Sequence, residues 1–192
     1  MRHFRKGLKI AQIQSILKSI IQVDNVFFEM IRSAEPKDSS EIVEIYNHFI
    51  LHTHATFELE PITANEMTLR IEKVQQEFLL PWIVLEIEGQ VVGYAYATQW
   101  KARQAYSKTT ETSVYLHKDQ GGKGYGKMLY SHLLEQLKRL GFHAIIGGMS
   151  LPNAPSQVLH ENLGFKKIAE FKEVGYKFDR WIDVGYWELI LD

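Results

Sequence analysis

The chain contains no cysteine. That excludes a disulfide framework, a thiolate metal site and a cysteine nucleophile, and it suits a cytoplasmic protein. No charge of one sign dominates either. Lys and Arg number 22 against 23 Asp and Glu, for a formal net charge of -1, so no field gathers nucleic acid or an anionic membrane. There is no internal repeat and no low-complexity segment. His48, His52 and His54 have the spacing of a metal cluster, but no HExxH motif or carboxylate partner pattern accompanies them. They read as a solvated helix end, and no metal is expected.

A long apolar run is also missing. Residues 1–29 carry Arg2, Arg5, Lys6, Lys9 and Lys18 among Leu8, Ile10, Ile13, Ile16, Leu17, Ile20 and Ile21, a basic amphipathic helical pattern. Lys18 and Gln14 interrupt it, whereas spanning a bilayer takes about 20 apolar residues. No small-residue cleavage site comes after it, so it does not read as a secretory signal. It is an N-terminal extension: a packed extra helix, a membrane-surface anchor, or sequence translated ahead of a start at Met30. The remainder, residues 30–192, suits a single compact domain.

The most informative stretch present is Gln120-Gly121-Gly122-Lys123-Gly124-Tyr125-Gly126-Lys127. It lies between an alternating segment, Thr112–Leu116, and a helix-period segment from Met128 to Leu140. A glycine-rich turn between strand and helix lets backbone N–H groups approach an anion, and the helix N-terminus adds partial positive charge. A phosphate or pyrophosphate ligand is expected; the bland alternative is a glycine-rich surface turn. Gly121, Gly126 and Lys127 match a P-loop, but the hydroxyl that would bind Mg²⁺ is replaced by Met128, and Ala144–Gly148 ends without an acidic residue. A dinucleotide fingerprint fails at Lys127 or Leu129, where its last glycine is needed.

The rest of the chain alternates. Met30–Arg32 reads as a short strand. Ser39 or Ser40 caps a helix with Ile42, Val43, Ile45, Tyr46 and Phe49 at helical spacing. Thr63–Phe78 repeats the pattern through Met67, Ile71, Val74 and Phe78. Trp82–Ile87 and Val91–Thr98 form a hairpin about Glu88-Gly89-Gln90. The long helix stops at Gly141, and Asn153 caps a short helix that tolerates Pro155 in its first turn. Phe165–Tyr176 and Trp181–Leu191 read as a closing antiparallel pair, with Trp181, Tyr186 and Trp187 packing the last strand.

Gly124-Tyr125-Gly126 after a strand and before an amphipathic helix resembles the coenzyme A pyrophosphate loop of GNAT-superfamily acyltransferases, although Gly121 stands where the pattern has Gln or Arg. Four further segments occur in order: Trp100–Tyr106, Glu111–Leu116, Leu151–Ser156 with His160–Phe165, and Trp181–Trp187. Together they closely resemble the phosphinothricin N-acetyltransferase family, which includes acetyltransferases of methionine sulfoximine and methionine sulfone. The resemblance implies an α/β fold with a mixed, mostly antiparallel sheet, flanking helices and splayed central strands. It also implies acetyl-CoA as co-substrate, a homodimer with the last strand near its interface, and a small amino acid as acceptor.

Acetyl transfer to an amine needs the amine neutral, so a base helps. Glu111 precedes the strand whose Val114, Tyr115 and Leu116 would hold the coenzyme, and the matching family glutamate is the presumed base. His160 matches a family histidine proposed to assist proton transfer; packing is the competing role, and ordinary imidazole titrates near neutrality. Gly121, Gly122, Lys123, Gly124, Tyr125, Gly126, Lys127 and Asn153 complete the implied coenzyme site. The resemblance places acceptor contacts on Lys101, Ala102, Arg103, Glu111, Thr112 and Ser113, with Tyr106 and Phe57 as walls. Arg103 suits a carboxylate in bidentate fashion and Lys101 acts as a point charge. The expected reaction is direct attack by an α-amino group within a ternary complex. The alternatives are another amine, such as a peptide N-terminus or a polyamine, and a non-catalytic CoA-binding sensor.

Overall fold

The computed structural model describes residues 29–191, and the amphipathic helix expected ahead of them lies outside the described residues. Along the chain come β1 (Glu29–Ser33), α1 (Ser39–His52), α2 (Ala64–Glu72), β2 (Trp82–Ile87), β3 (Gln90–Gln99), β4 (Thr109–Leu116), α3 (Tyr125–Arg139), β5 (Ala144–Ser150), α4 (Ala154–Asn162), β6 (Lys166–Lys177) and β7 (Arg180–Ile190). The strands form one seven-stranded sheet in the order β1-β2-β3-β4-β5-β7-β6. Every neighbouring pair is antiparallel except β4 with β5, as expected of a mixed, mostly antiparallel sheet.

Local chemistry explains the boundaries. α1 starts at Ser39 with Asp38 as its N-cap residue, not with Ser39 or Ser40 as the cap. Arg32 clamps the Asp38 carboxylate at 2.6 and 2.8 Å, and the Glu35 N–H donates to it at 2.8 Å; this buried pairing fixes the turn ahead of the helix. α2 opens on a reciprocal capping box between Thr63 and Glu66, which satisfies two helix-end donors. It then widens into a π turn at Lys73–Glu77. The extra residue per turn rotates the side chains beyond it: Met67, Ile71 and Val74 are buried, while Phe78 is 36% exposed. The β2–β3 turn holds Glu88 and Gly89 at φ of 53° and 80°, the left-handed pair that matches the twist of a two-residue hairpin.

Helices cover both faces of the sheet. Tyr115 on β4 packs edge-on against Tyr46 and Phe49 of α1, whereas Thr112, three residues earlier, meets Tyr130 of α3 on the other side. Val91–Ala97 of β3 is therefore buried almost throughout, a continuous apolar run and not an alternating one. Leu129, Leu133, Leu134 and Leu137 form the buried stripe of α3, which ends at Gly141 with φ of 79°. Among the described residues, no helix is long and apolar enough to cross a membrane.

One interruption positions the site. β4 and β5 pair only through Thr109↔Ala144, Thr110↔Ile145 and Glu111↔Ile146. Beyond Glu111 the two strands diverge, while β4 stays paired with β3 to Leu116 and β5 with β7 to Ser150. Alternate backbone groups of Thr112–Leu116 then face the gap without a sheet partner.

Candidate active site

Glu111 is the last residue of β4 that pairs with β5. Its carboxyl points to the same face as Gly148: a Cβ built on Gly148 would lie 3.1 Å from Glu111 Oε1 and 3.1 Å from the Tyr186 ring. The preceding residue faces the other way, and a Cβ on Gly147 would lie 2.4 Å from His160 Nε2. Successive strand residues point to opposite faces, so Glu111 and His160 stand on opposite sides of the sheet, at the mouth of the gap. Gly147 and Gly148 are glycines because side chains already fill both places.

Two cavities meet here. One, of 780 Å³, runs along Val114, Tyr115 and Leu116, past Gly121, Gly122, Gly124, Gly126 and Lys127, to Asn153 and His160. The other, of 620 Å³, lies on the Glu111 side between Phe57, Ser150, Tyr176 and Tyr186. Ala55, Gly148 and Met149 border both.

The long cavity has the attributes of a pantetheine and pyrophosphate groove. Unpaired backbone of β4 lines its inner part. At its outer end Gly122 and Gly124 adopt φ of 76° and 84°, and the space where a Cβ would sit on Gly121, Gly122 or Gly124 is open. No side chain caps α3 at Gly124, and its first turn carries no acidic residue, so the positive end of the helix meets the cavity. Lys123 turns aside to bond Gln120 at 2.7 Å; Lys123 and Tyr125 are not part of the wall. The Asn153 side-chain oxygen caps α4 by accepting from Ser156 N–H at 3.2 Å, a bond that does not use its amide donors.

His160 is buried. Its Nδ1 lies 2.8 Å from the Ser156 carbonyl, which can only accept, so Nδ1 carries the proton. Nε2 therefore accepts from Tyr130 O–H at 3.2 Å, and Tyr130 accepts from Thr112 O–H at 2.6 Å. Burial pushes the imidazole below its usual range, partly offset by the Ser156 carbonyl, so the ring is neutral near pH 7. Thr112 serves this chain and lines the 780 Å³ cavity, not the 620 Å³ one. Ser113 also lines the 780 Å³ cavity.

Burial pushes the Glu111 carboxyl above the ordinary carboxylate range, and Lys101 offsets this in part. Lys101 lies on the exposed β3–β4 loop with Nζ 4.7 Å from the centre of the Trp100 ring, and Trp100 packs on Tyr186. Ala102, Arg103 and Tyr106 share that exposed loop, and none of the four borders the 620 Å³ cavity. Phe57 does border it, packed so tightly on Gly175 that a Cβ there would lie 2.0 Å from its ring. The segment that carries Ala55 and Phe57 is held by Thr56 O–H donating to the Tyr46 hydroxyl oxygen at 2.8 Å, Tyr46 O–H donating to Glu58 at 2.9 Å, Arg70 to Glu58 at 2.6 Å, and Lys177 Nζ to the Thr56 carbonyl at 2.9 Å.

From sequence, His54 reads as a solvated helix end, Gly148 as a strand end and Tyr186 as last-strand packing, and Ser150 is not singled out; the structure brings all four to this junction. A usable signal was the Gly147-Gly148 pair inside a strand, which marks close approach by something else. The three histidines separate: His48 and His52 rings lie 5.0 Å apart, while His54 bonds Ser150. Trp187 is buried, but Trp181 is 62% exposed.

The model of the acetyltransferase (GNAT) domain matches residues 31–185. Phosphinothricin N-acetyltransferase of Streptomyces viridochromogenes is 40% identical over 82% of this chain and 85% of its own. The L-methionine sulfoximine/L-methionine sulfone acetyltransferase of Salmonella typhimurium is 38% identical over 84% and 94%. In structure, a GNAT-superfamily phosphinothricin acetyltransferase from Sinorhizobium meliloti in complex with acetyl-CoA superposes with a TM-score of 0.82 at 35% identity, over 85% of this chain and 88% of that one. With a split sheet, a glycine-lined groove and a half-buried glutamate at their junction, the chain belongs to the GNAT family of acetyltransferases.

Proposed function

We propose that the protein transfers the acetyl group of acetyl-CoA to the α-amino group of a small amino acid or analogue, of the phosphinothricin, methionine sulfoximine or methionine sulfone type. The carrying observation is Glu111: a half-buried carboxyl, raised by partial loss of water, beside Gly148 where the two cavities meet. Acetyl-CoA, when bound, supplies an activated acetyl thioester. Gly121, Gly122, Gly124 and Gly126 present backbone N–H groups to its pyrophosphate, with Lys127 adding positive charge. Val114, Tyr115 and Leu116 offer the unpaired backbone of β4 to the pantetheine amides. Asn153 orients the inner end.

Glu111 takes the proton from the acceptor ammonium, so that the amine lone pair is directed through the gap beside Gly148. A raised carboxyl is a stronger base than an ordinary one once ionised, which suits this transfer. His160 closes the thiol end of the groove. With Nδ1 committed to Ser156 and Nε2 to Tyr130, it joins proton transfer only through the Tyr130–Thr112 chain. Arg103 and Lys101 lie on the exposed loop leading to Glu111, outside the wall of the 620 Å³ acceptor cavity; Lys101 reaches Glu111 by charge, and the two are the cations proposed for the acceptor carboxylate.

A second copy of the chain completes this reading. Ile168, Phe171, Val174, Tyr176, Phe178 and Trp181 are each at least half exposed along the β6–β7 pair, exposed apolar surface of a kind that marks protein contacts. A cytoplasmic location goes with this reading, because the reaction draws on acetyl-CoA.

The test is steady-state acetylation of methionine sulfoximine, methionine sulfone and phosphinothricin, each as free acid and as methyl ester. The acids are expected to be the better substrates, with Arg103→Ala lowering kcat/KM for acid more than for ester. Equal rates for acid and ester would remove the carboxylate reading and move peptide-like amines ahead. No turnover with any amine would leave a coenzyme-binding protein.

A further inference from the structure

Ser150 and His54 form a hydrogen-bonded pair, Nδ1 to Oγ at 2.8 Å, across 96 residues of sequence. Ser150 is 3% exposed, and what it borders is the acceptor cavity. It lies two residues beyond Gly148 on β5, hence on the same face as the Glu111 carboxyl. Met149, Phe171, Val174 and Val184 share that cavity, together with Tyr176 and Tyr186. A hydroxyl on the cavity wall, held from behind by a histidine, is a specificity element of the kind that orients a ligand.

The spacing fits an acceptor end to end. Gly148 marks the Glu111 carboxylate, and two strand residues span about 6.6 Å. In phosphinothricin, methionine sulfone and methionine sulfoximine, five bonds separate the α-nitrogen from the oxygen on phosphorus or sulfur. At about 1.2 Å of advance per bond in an extended chain, that is about 6 Å. An amine at Glu111 therefore puts this oxygen beside Ser150. The electrostatics agree. Burial and then the charges of Arg180 and Lys177 hold His54 below the usual histidine range, and the field that disfavours a proton there favours the negative oxygen of a sulfonyl, sulfoximine or phosphinyl group.

We propose that Ser150 and His54 are the subsite that reads a tetrahedral sulfur or phosphorus oxygen at the end of the acceptor side chain. The inference rests on the amino-acid acceptor proposed above. Ser150 donates its hydroxyl to that oxygen, and His54 holds Ser150 in the rotamer that reaches it.

The experiment compares methionine sulfone with norleucine, which has the same reach but no side-chain oxygen, in the wild type and in Ser150→Ala, His54→Leu, Ser150→Thr and His54→Asn. In the wild type the ratio of kcat/KM, sulfone over norleucine, is expected to be well above one. It should fall about tenfold in Ser150→Ala and His54→Leu, the worth of one hydrogen bond, and return in large part in Ser150→Thr and His54→Asn. The melting shift with acetyl-CoA reports an intact fold and coenzyme site in each variant. A wild-type ratio near one, or equal losses on both acceptors with the melting shift kept, would overturn the subsite while leaving the amino-acid reading in place. Turnover with neither acceptor but with another amine would overturn both.

Discussion

At the scale of single residues, the strongest consequence attaches to Glu111. Its carboxyl titrates higher in the folded chain than in the unfolded one because it is buried. A group of that kind lends stability below its unfolded pKa and withdraws it as pH rises through the folded value. Glu111 is therefore a stability cost at neutral pH. Glu111→Gln should raise Tm near pH 7, and the gain should vanish as pH falls through the carboxylate range, measured by thermal melts from pH 4 to 8. The same variant should lower kcat by roughly 10²–10⁴-fold, the range for a lost general base, with the melting shift by acetyl-CoA kept. Unchanged turnover across pH would remove Glu111 from the chemistry. Residues like this one were legible early: Glu111, the glycines from Gly121 to Gly126 and Asn153 sit in short contiguous motifs whose chemistry depends on near neighbours. His54 and Ser150 were not, because neither has meaning until β5 and the α1–α2 connection are brought together.

At the scale of elements, glycine positions carry most of the site's shape. Gly147→Ala would put a methyl group 2.4 Å from His160 Nε2 and force α4 or the ring to move. Overpacking of a buried site costs about 1–3 kcal/mol, so Tm should drop, and denaturant melts should report the loss. Gly124→Asp acts differently. Its φ of 84° is left-handed, where Asp is tolerated better than most residues, and the space beside it is open. The fold should survive, while a carboxylate at the helix N-terminus repels the pyrophosphate. The expected result is loss of the melting shift that acetyl-CoA gives the wild type; a retained shift would place the pyrophosphate elsewhere. The elements themselves were mostly readable from periodicity. The exceptions have physical causes: the Arg32–Asp38 pair moved the α1 start, and the π turn at Lys73–Glu77 took Phe78 off the buried stripe. The exposure of the loop bearing Lys101 and Arg103 could not be read, because it depends on how β3 and β4 leave the sheet.

At the scale of the whole molecule, the β6–β7 face is the feature a single chain leaves unexplained. If two copies bury it, the wild type should sediment as a dimer at micromolar concentration, and the double variant Phe178→Glu, Trp181→Glu should sediment as a monomer. Neither residue borders the acceptor cavity, so a simultaneous fall in acceptor affinity would show that the second copy shapes the site from outside. A wild type that stays monomeric up to high concentration would retire the idea.

The three residue pairs that join β4 to β5 have a mechanical meaning. The sheet is two plates, β1 to β4 and β5 to β7, with a short seam between them. Whatever fills the gap acts as a splint as well as a reagent. Amide hydrogens of Val114 to Leu116 that face the gap should exchange quickly in the free protein and slowly in the loaded one. Resistance to proteolysis, which tracks how often a chain opens, then rises and falls with the supply of acetyl-CoA, so the molecule's lifetime becomes a gauge of its own fuel.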